Sequence, residues 1–203
     1  MDDFDELAPA WDDDPAKWER ADAAAAAIRA ALTLDGSQRL LEYGAGTGLV
    51  TQALRRSVGP VTLVDTSAGM RDVIAAKLAA GTLAGPARVW DLDLEVDAVP
   101  DETFDVIVTV MTMHHVRRLD VVLAGFAKML EPGGSLCVVD LDAEDGSFHG
   151  EGAEVHHGFD RLEFVAALAA AGLGDVEIVD CHRMVRDDRV YPLFLAVARP
   201  LPG

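Results

Sequence analysis

The 203-residue chain has few cysteines, few lysines and no long apolar run. Its two cysteines, Cys137 and Cys181, stand alone in strand-like apolar stretches, so neither a disulfide framework nor a C-x-x-C metal knuckle can be built; both read as small core residues. Only Lys17, Lys77 and Lys128 are lysines, and the formal net charge is −18. Such a field repels phosphate backbones and argues against a nucleic-acid binder, whose affinity comes from basic side chains neutralising phosphates. It favours a neutral or cationic small substrate. No segment approaches the roughly 20 apolar residues that cross a bilayer. The opening "MDDFDELAPAWDDDP" is acidic where a secretory leader would be basic, so a soluble, cytoplasmic protein without membrane insertion is expected.

What is present is a half-apolar composition, enough for one well-buried core. Pro15 follows three aspartates and opens an alanine-rich helical stretch to about Thr33, which makes residues 1–35 an N-terminal helical arm ahead of a domain at 36–203. Beyond the Asp35-Gly36 turn, strand and helix patterns alternate. "QRLLEY", "VTLVD", "ARVWDLDL", "FDVIVTV" and "GSLCVVDL" read as strands; the stretches from Gly48, Ser67 and Arg118 read as helices, the last stopped by Pro132-Gly133-Gly134. Right-handed crossovers between such strands give an α/β, doubly wound, mostly parallel sheet. After the helix "RLEFVAALAAAG", the strands "DVEIVDC" and "RVYPLFLAVAR" have little between them, which suits a closing hairpin with an antiparallel edge.

The first strand runs into "LLEYGAGTGLVT". In an open parallel sheet, ligands sit beyond the carboxyl ends of the strands, and the first strand-loop-helix is the usual place. Gly44, Gly46 and Gly48 form G-x-G-x-G, and position 49 is Leu where a dinucleotide fingerprint needs glycine. Glu42, two residues before the first glycine, would repel a pyrophosphate and attract an amine. S-adenosylmethionine carries an ammonium and a sulfonium and no phosphate. Asp65 closes the second strand about 20 residues on, where an acid accepts from ribose hydroxyls; Ser67 can cap the following helix in its stead.

Taken together, "LEYGAGTGLVT", "VTLVDTSAGM", "FDVIVTVMTMHHV" and "LEPGGSLCVVDLD" resemble the successive motifs of the class I SAM-dependent methyltransferases, in particular the small-molecule group that includes the ubiquinone and menaquinone biosynthesis enzymes. The resemblance covers roughly residues 38–142. It implies a Rossmann-like, seven-stranded sheet with the C-terminal strand antiparallel, S-adenosylmethionine as cofactor, and methyl transfer to a small-molecule acceptor. By the same resemblance Glu42, Gly44 and Gly46 hold the methionine end, Asp65 the ribose, and Thr66 and Met70 the border of the adenine. In "DLDLE" either Asp91 or Asp93 could read the adenine edge; Asp93 with Leu94 is the preferred pair, because Asp91 falls within the strand pattern.

His114 and His115 follow the fourth strand at the mouth of this site. Either is a candidate general base for a hydroxyl or thiol, since imidazole titrates near neutrality; a packing or hydrogen-bonding role is the competing reading. The later segment "DLDAEDGSFHGEGAEVHHGFDR" resembles a subgroup of small members with a "VHHGF" signature and gathers His149, His156 and His157 near Asp142, Glu144 and Asp145. Adjacent histidines in a loop seldom point the same way, so this reads as a substrate-contacting lid, with no metal assigned. The acidic arm with Trp11 and Trp18 is expected to close over the pocket. An NAD-dependent oxidoreductase, a non-catalytic SAM-binding protein and a metal-dependent hydrolase built on the histidine loop are the rival functions. The acceptor and the oligomeric state, homodimer included, are not legible.

Overall fold

β1 (Leu40–Tyr43) is the hub of the structure, a computed structural model that describes residues 4–150 and 154–201. All four of its residues are buried, because a strand with parallel neighbours and helices on both faces meets no solvent. On one side it pairs with β2 (Val61–Val64), Leu40 opposite Val61; on the other with β4 (Phe104–Val110), Leu40 opposite Val106. β3 (Ala87–Trp90) lies outside β2, and β5 (Leu130–Leu141) outside β4. The hairpin of β6 (Leu173–Arg186) and β7 (Arg189–Pro200) completes the seven-stranded order β3-β2-β1-β4-β5-β7-β6. β7 alone runs against the others, pairing antiparallel with both β5 and β6.

Side chains alternate between two cores. Leu40, Val106, Val108, Cys137 and Val139 face the layer built by α2 (Pro15–Ala31), α3 (Leu49–Leu54) and α4 (Ala68–Ala79). Leu41, Tyr43, Ile107, Leu136 and Val138 face α5 (Leu119–Met129) and α6 (Arg161–Ala170). α2 starts as its sequence suggests: Pro15 occupies the first turn and the Asp14 carboxylate accepts from the Ala16 N–H at 2.9 Å. Its small face (Ala21, Ala24, Ala25, Ile28) is buried, so α2 belongs to the helical layer, while a short helix α1 (Phe4–Leu7) and a 3₁₀ turn (Ala8–Asp13) lie across the sheet's carboxyl end.

Four local details differ from the sequence reading. β3 stops at Trp90, because Asp93 accepts from the Glu95 N–H while the Asp93 N–H donates to Asp97, folding 93–97 into turns that compete with the strand. Pro132-Gly133-Gly134 does not end a helix; α5 stops at Met129, and the three residues form a bulge inside β5, between the pairs Phe104–Leu130 and Val106–Ser135. Cys181 is the extra residue of a bulge between Asp180 and His182 and is only half-buried, whereas Cys137 is fully buried. The closing hairpin is longer than expected; Asp187 and Asp188, at φ +51° and +61°, supply its two-residue turn. Among the described residues no helix is long and apolar enough to cross a membrane.

Candidate functional site

The chain leaves β1 toward β2 on one side and returns through β4 on the other, so the loops after β1 and β4 diverge and open a crevice. A cavity of about 650 Å³ lies there, a size typical of small-ligand sites, about 300–1,000 Å³. Its floor is the glycine loop. A side chain at Gly44 would lie 2.3 Å from the Thr112 side chain, so the loops after β1 and β4 can touch only because position 44 has none. Gly46, at φ +54°, would aim a Cβ into the cavity itself, where the nearest atom is the Trp11 Nε1 at 3.8 Å.

Two carboxylates stand around this loop. Glu42 is 2% exposed, and its Oε2 accepts from the Thr51 N–H of α3 at 2.9 Å. Burial pushes its pKa up to about 7, with the nearby Asp65 charge adding to the rise and the Lys77 ammonium opposing it. Asp65 accepts from the Gly46 N–H at 2.7 Å and from the Ser67 N–H at 2.9 Å; burial raises its pKa as well. Ser67 caps α4 by accepting from the Met70 N–H at 3.1 Å. Asp65 is thus the strut between the glycine loop and the start of α4. Thr66 and the buried Met70 line the cavity beside it.

Asp91 and Asp93 separate in space. Asp91 pairs with Arg71 of α4 at 2.9 Å on the outside, whereas Asp93 borders the cavity. The Leu94 N–H donates to the Tyr43 hydroxyl at 3.2 Å and its side chain is buried against Gly125, so Leu94 sits behind the wall.

The arm roofs the cavity through carboxylates. Asp5 accepts from the Gly69 N–H at 2.9 Å, and Asp12 takes both the Thr47 hydroxyl and the Lys77 ammonium at 2.5 Å. Trp11 lines the cavity; Trp18 braces the arm from behind, donating to the Asp12 carbonyl at 2.8 Å.

At the opposite rim, His114 is 1% exposed and its Nδ1 lies 2.7 Å from the Asp140 carboxylate, itself fully buried in β5. His115 is half-buried and packs against Phe4 of the arm. Of the later histidines only His149 joins this pair, its ring centroid 4.9 Å from that of His114. His156 turns away to donate from Nε2 to the Val116 carbonyl at 2.9 Å, and His157 lies against Gly146. Residues 151–153 of this segment lie outside the described residues.

Sequence reasoning had no role for Asp140, Lys77 or Arg20. Arg20 projects from α2 into the cavity, where its guanidinium lies 3.9 Å from the Met184 sulfur. No periodicity marks it, because a helix presents arginine to solvent and to a cavity with the same spacing.

Residues 16–177 match a family model described as a methyltransferase domain. The chain is 37% identical over 117 residues to the biotin biosynthesis bifunctional protein BioCD of Bordetella avium, covering 57% of this chain and 24% of that protein. It is 34% identical over 106 residues to the ubiquinone/menaquinone biosynthesis C-methyltransferase UbiE of Stutzerimonas stutzeri, covering 51% of this chain and 41% of that one. The chain therefore spans less than half the length of either. Among solved structures, the N-methyltransferase NodS of Bradyrhizobium japonicum, in complex with S-adenosyl-L-homocysteine, superposes with a TM-score of 0.71 at 22% identity, over 93% of this chain and 89% of that one.

Proposed function

Because this chain belongs to the methyltransferase-domain family, we propose that it moves the methyl group of S-adenosylmethionine onto a small-molecule acceptor held in the cavity between β1 and β4. The observation that carries this reading is a buried carboxylate, Glu42, at the end of β1 beside a glycine loop whose Gly46 leaves room for a ligand. The residues fit the cofactor: Glu42 would supply a counter-charge for its ammonium, Gly44 and Gly46 let backbone approach, and Asp65, Thr66, Met70 and Asp93, which line the same cavity, would read its ribose and adenine. When bound, the cofactor supplies an electrophilic methyl on a sulfonium. The chain's part is to align the acceptor with that methyl and to keep water out, since the transfer disperses charge rather than creating it. Calorimetry should find one site for S-adenosylmethionine and its demethylated product. Asp65→Ala should lose about 2–3 kcal/mol of that affinity, the range for hydrogen bonds to a charged group. Binding of NAD with indifference to both sulfur compounds would overturn the reading in favour of an oxidoreductase, and cofactor binding without turnover on any acceptor would favour a non-catalytic binder.

The acceptor carries an anionic group. Burial lowers the Arg20 pKa while the Asp14 and Asp140 charges oppose the fall; the guanidinium stays charged, and the side chain within hydrogen-bond reach of it is the Met184 thioether, a poor acceptor. A carboxylate or phosphate on the acceptor would pair with it. The acidic composition suggested a neutral or cationic substrate, but dispersed surface charges are screened over about 8–10 Å in physiological salt, whereas Arg20 faces the ligand directly. A screen of metabolites with labelled cofactor should return acceptors bearing an anion. For such an acceptor Arg20→Met should raise KM about tenfold, one lost charge-assisted hydrogen bond, with cofactor affinity unchanged. A set made up of neutral amines alone would refute this.

A further inference from the structure

His114, His115 and His149 come from two separate loops, yet one ring nitrogen from each lies within 4.8 Å of the other two. Their centroids are 4.2, 4.9 and 5.1 Å apart. Three imidazoles converge in this way while the other histidines of the same segment turn elsewhere, His156 to the Val116 carbonyl and His157 to Gly146.

The first of the three is already set as a metal ligand would be. Its Nδ1 is 2.7 Å from Asp140 Oδ1, with the pair 1% and 0% exposed. A carboxylate there holds the proton on Nδ1 and leaves the lone pair on Nε2; a carboxylate behind a histidine is the usual support for a ligating imidazole. The loop that brings His149 is pinned at the residue just before it. Glu144 accepts from the Phe148 N–H at 3.1 Å, and Arg186 donates to the Phe148 carbonyl at 2.7 Å.

We propose that His114 Nε2 and one nitrogen each of His115 and His149 bind a single divalent transition-metal ion of the zinc class, at the rim of the cavity. Metal–nitrogen bonds of 2.0–2.1 Å in a tetrahedral site set neighbouring ligand atoms about 3.4 Å apart, so the nitrogens need to close by about 1.4 Å at most. That closure moves the half-buried His115 and His149 rings away from their present contacts with Phe4 and Phe148. An all-imidazole set selects zinc, cobalt or nickel over magnesium and calcium, which take oxygen ligands. Three protein ligands leave a fourth position, and all three residues border the cavity. An acceptor hydroxyl or thiol bound there would give up its proton to solvent at the cavity mouth near neutral pH; this use rests on the methyl-transfer reading, while the ion site itself does not.

The test uses untagged full-length protein stripped with chelator and titrated with Zn²⁺ by calorimetry, then with Co²⁺ for its visible absorption. One equivalent should bind with Kd below about 1 μM, and Co²⁺ should give the intense bands of a tetrahedral site. His149→Ala should weaken Zn²⁺ at least 100-fold and Asp140→Asn about 10–100-fold, while His157→Ala binds as wild type. Absence of saturable uptake below millimolar Zn²⁺, or wild-type affinity in His149→Ala, would overturn the proposal. No cofactor is present in these titrations, so failure here leaves the methyl-transfer reading standing, and failure of the cofactor calorimetry leaves this one standing.

Discussion

Glu42→Gln should weaken S-adenosylmethionine binding about 100-fold at pH 8, the loss of a charge-assisted contact worth about 2–3 kcal/mol, and at the same pH should make the ligand-free protein more stable. The two effects have one cause. A carboxylate with an unfolded pKa of 4.5 and a folded value of about 7 binds its proton more tightly in the native state. Its contribution is therefore neutral below the unfolded value, and wild-type stability declines as the pH rises from about 4.5 through 7, by about 3 kcal/mol in all. Glutamine keeps the shape and can still accept from the Thr51 N–H, but it carries no charge to bury. Urea unfolding across pH 5–8 should show the stability advantage of the variant vanish at the acid end. Wild-type cofactor affinity should rise with pH up to about 7 and then level, because the ammonium selects the ionised carboxylate; the variant should show no such slope from this group. A variant that binds the cofactor as wild type at pH 8 would remove Glu42 from the site.

Asp140→Ala should cost about 3–5 kcal/mol of stability, measured by urea unfolding at pH 7. The side chain serves three buried donors: His114 Nδ1–H at 2.7 Å, the His114 backbone N–H at 3.3 Å and the Leu141 N–H at 2.8 Å. Removing it strands all three without water, and each orphaned buried group costs about 1–3 kcal/mol. Asp140→Asn, which retains one acceptor oxygen, should lose less than half as much. A loss below about 1 kcal/mol for the alanine variant would mean that the interior at this point is already solvated.

The parallel strands were legible because sheets covered on both faces demand unbroken apolar runs, and "FDVIVTV" is β4 residue for residue. β6 was harder to size. It alternates partly covered and exposed positions at the sheet's edge, where polar residues such as His182 and Arg183 look like the end of a strand and are not. Glu42 could be placed by its distance from the glycines, since loop and strand share one rigid segment. His149 could not be chosen over His156 and His157, because the backbone path of the loop decides which ring turns inward and no period governs a loop. Asp140 was equally hidden. It sits in an apolar strand as one of several aspartates, and only the fold brings the histidine turn over it.

Two of the three lysines in this chain are stitched into the seam between arm and body. Lys17 lies 3.8 Å over the Trp11 ring, and the Lys77 ammonium, its side chain 12% exposed, holds Asp12 and the Thr47 carbonyl. Among the described residues, acylating reagents directed at primary amines thus meet only Lys128 away from the seam. The protein carries its own footprinting probe: the rate at which Lys77 is acylated, read by peptide mass, measures how often the roof comes off.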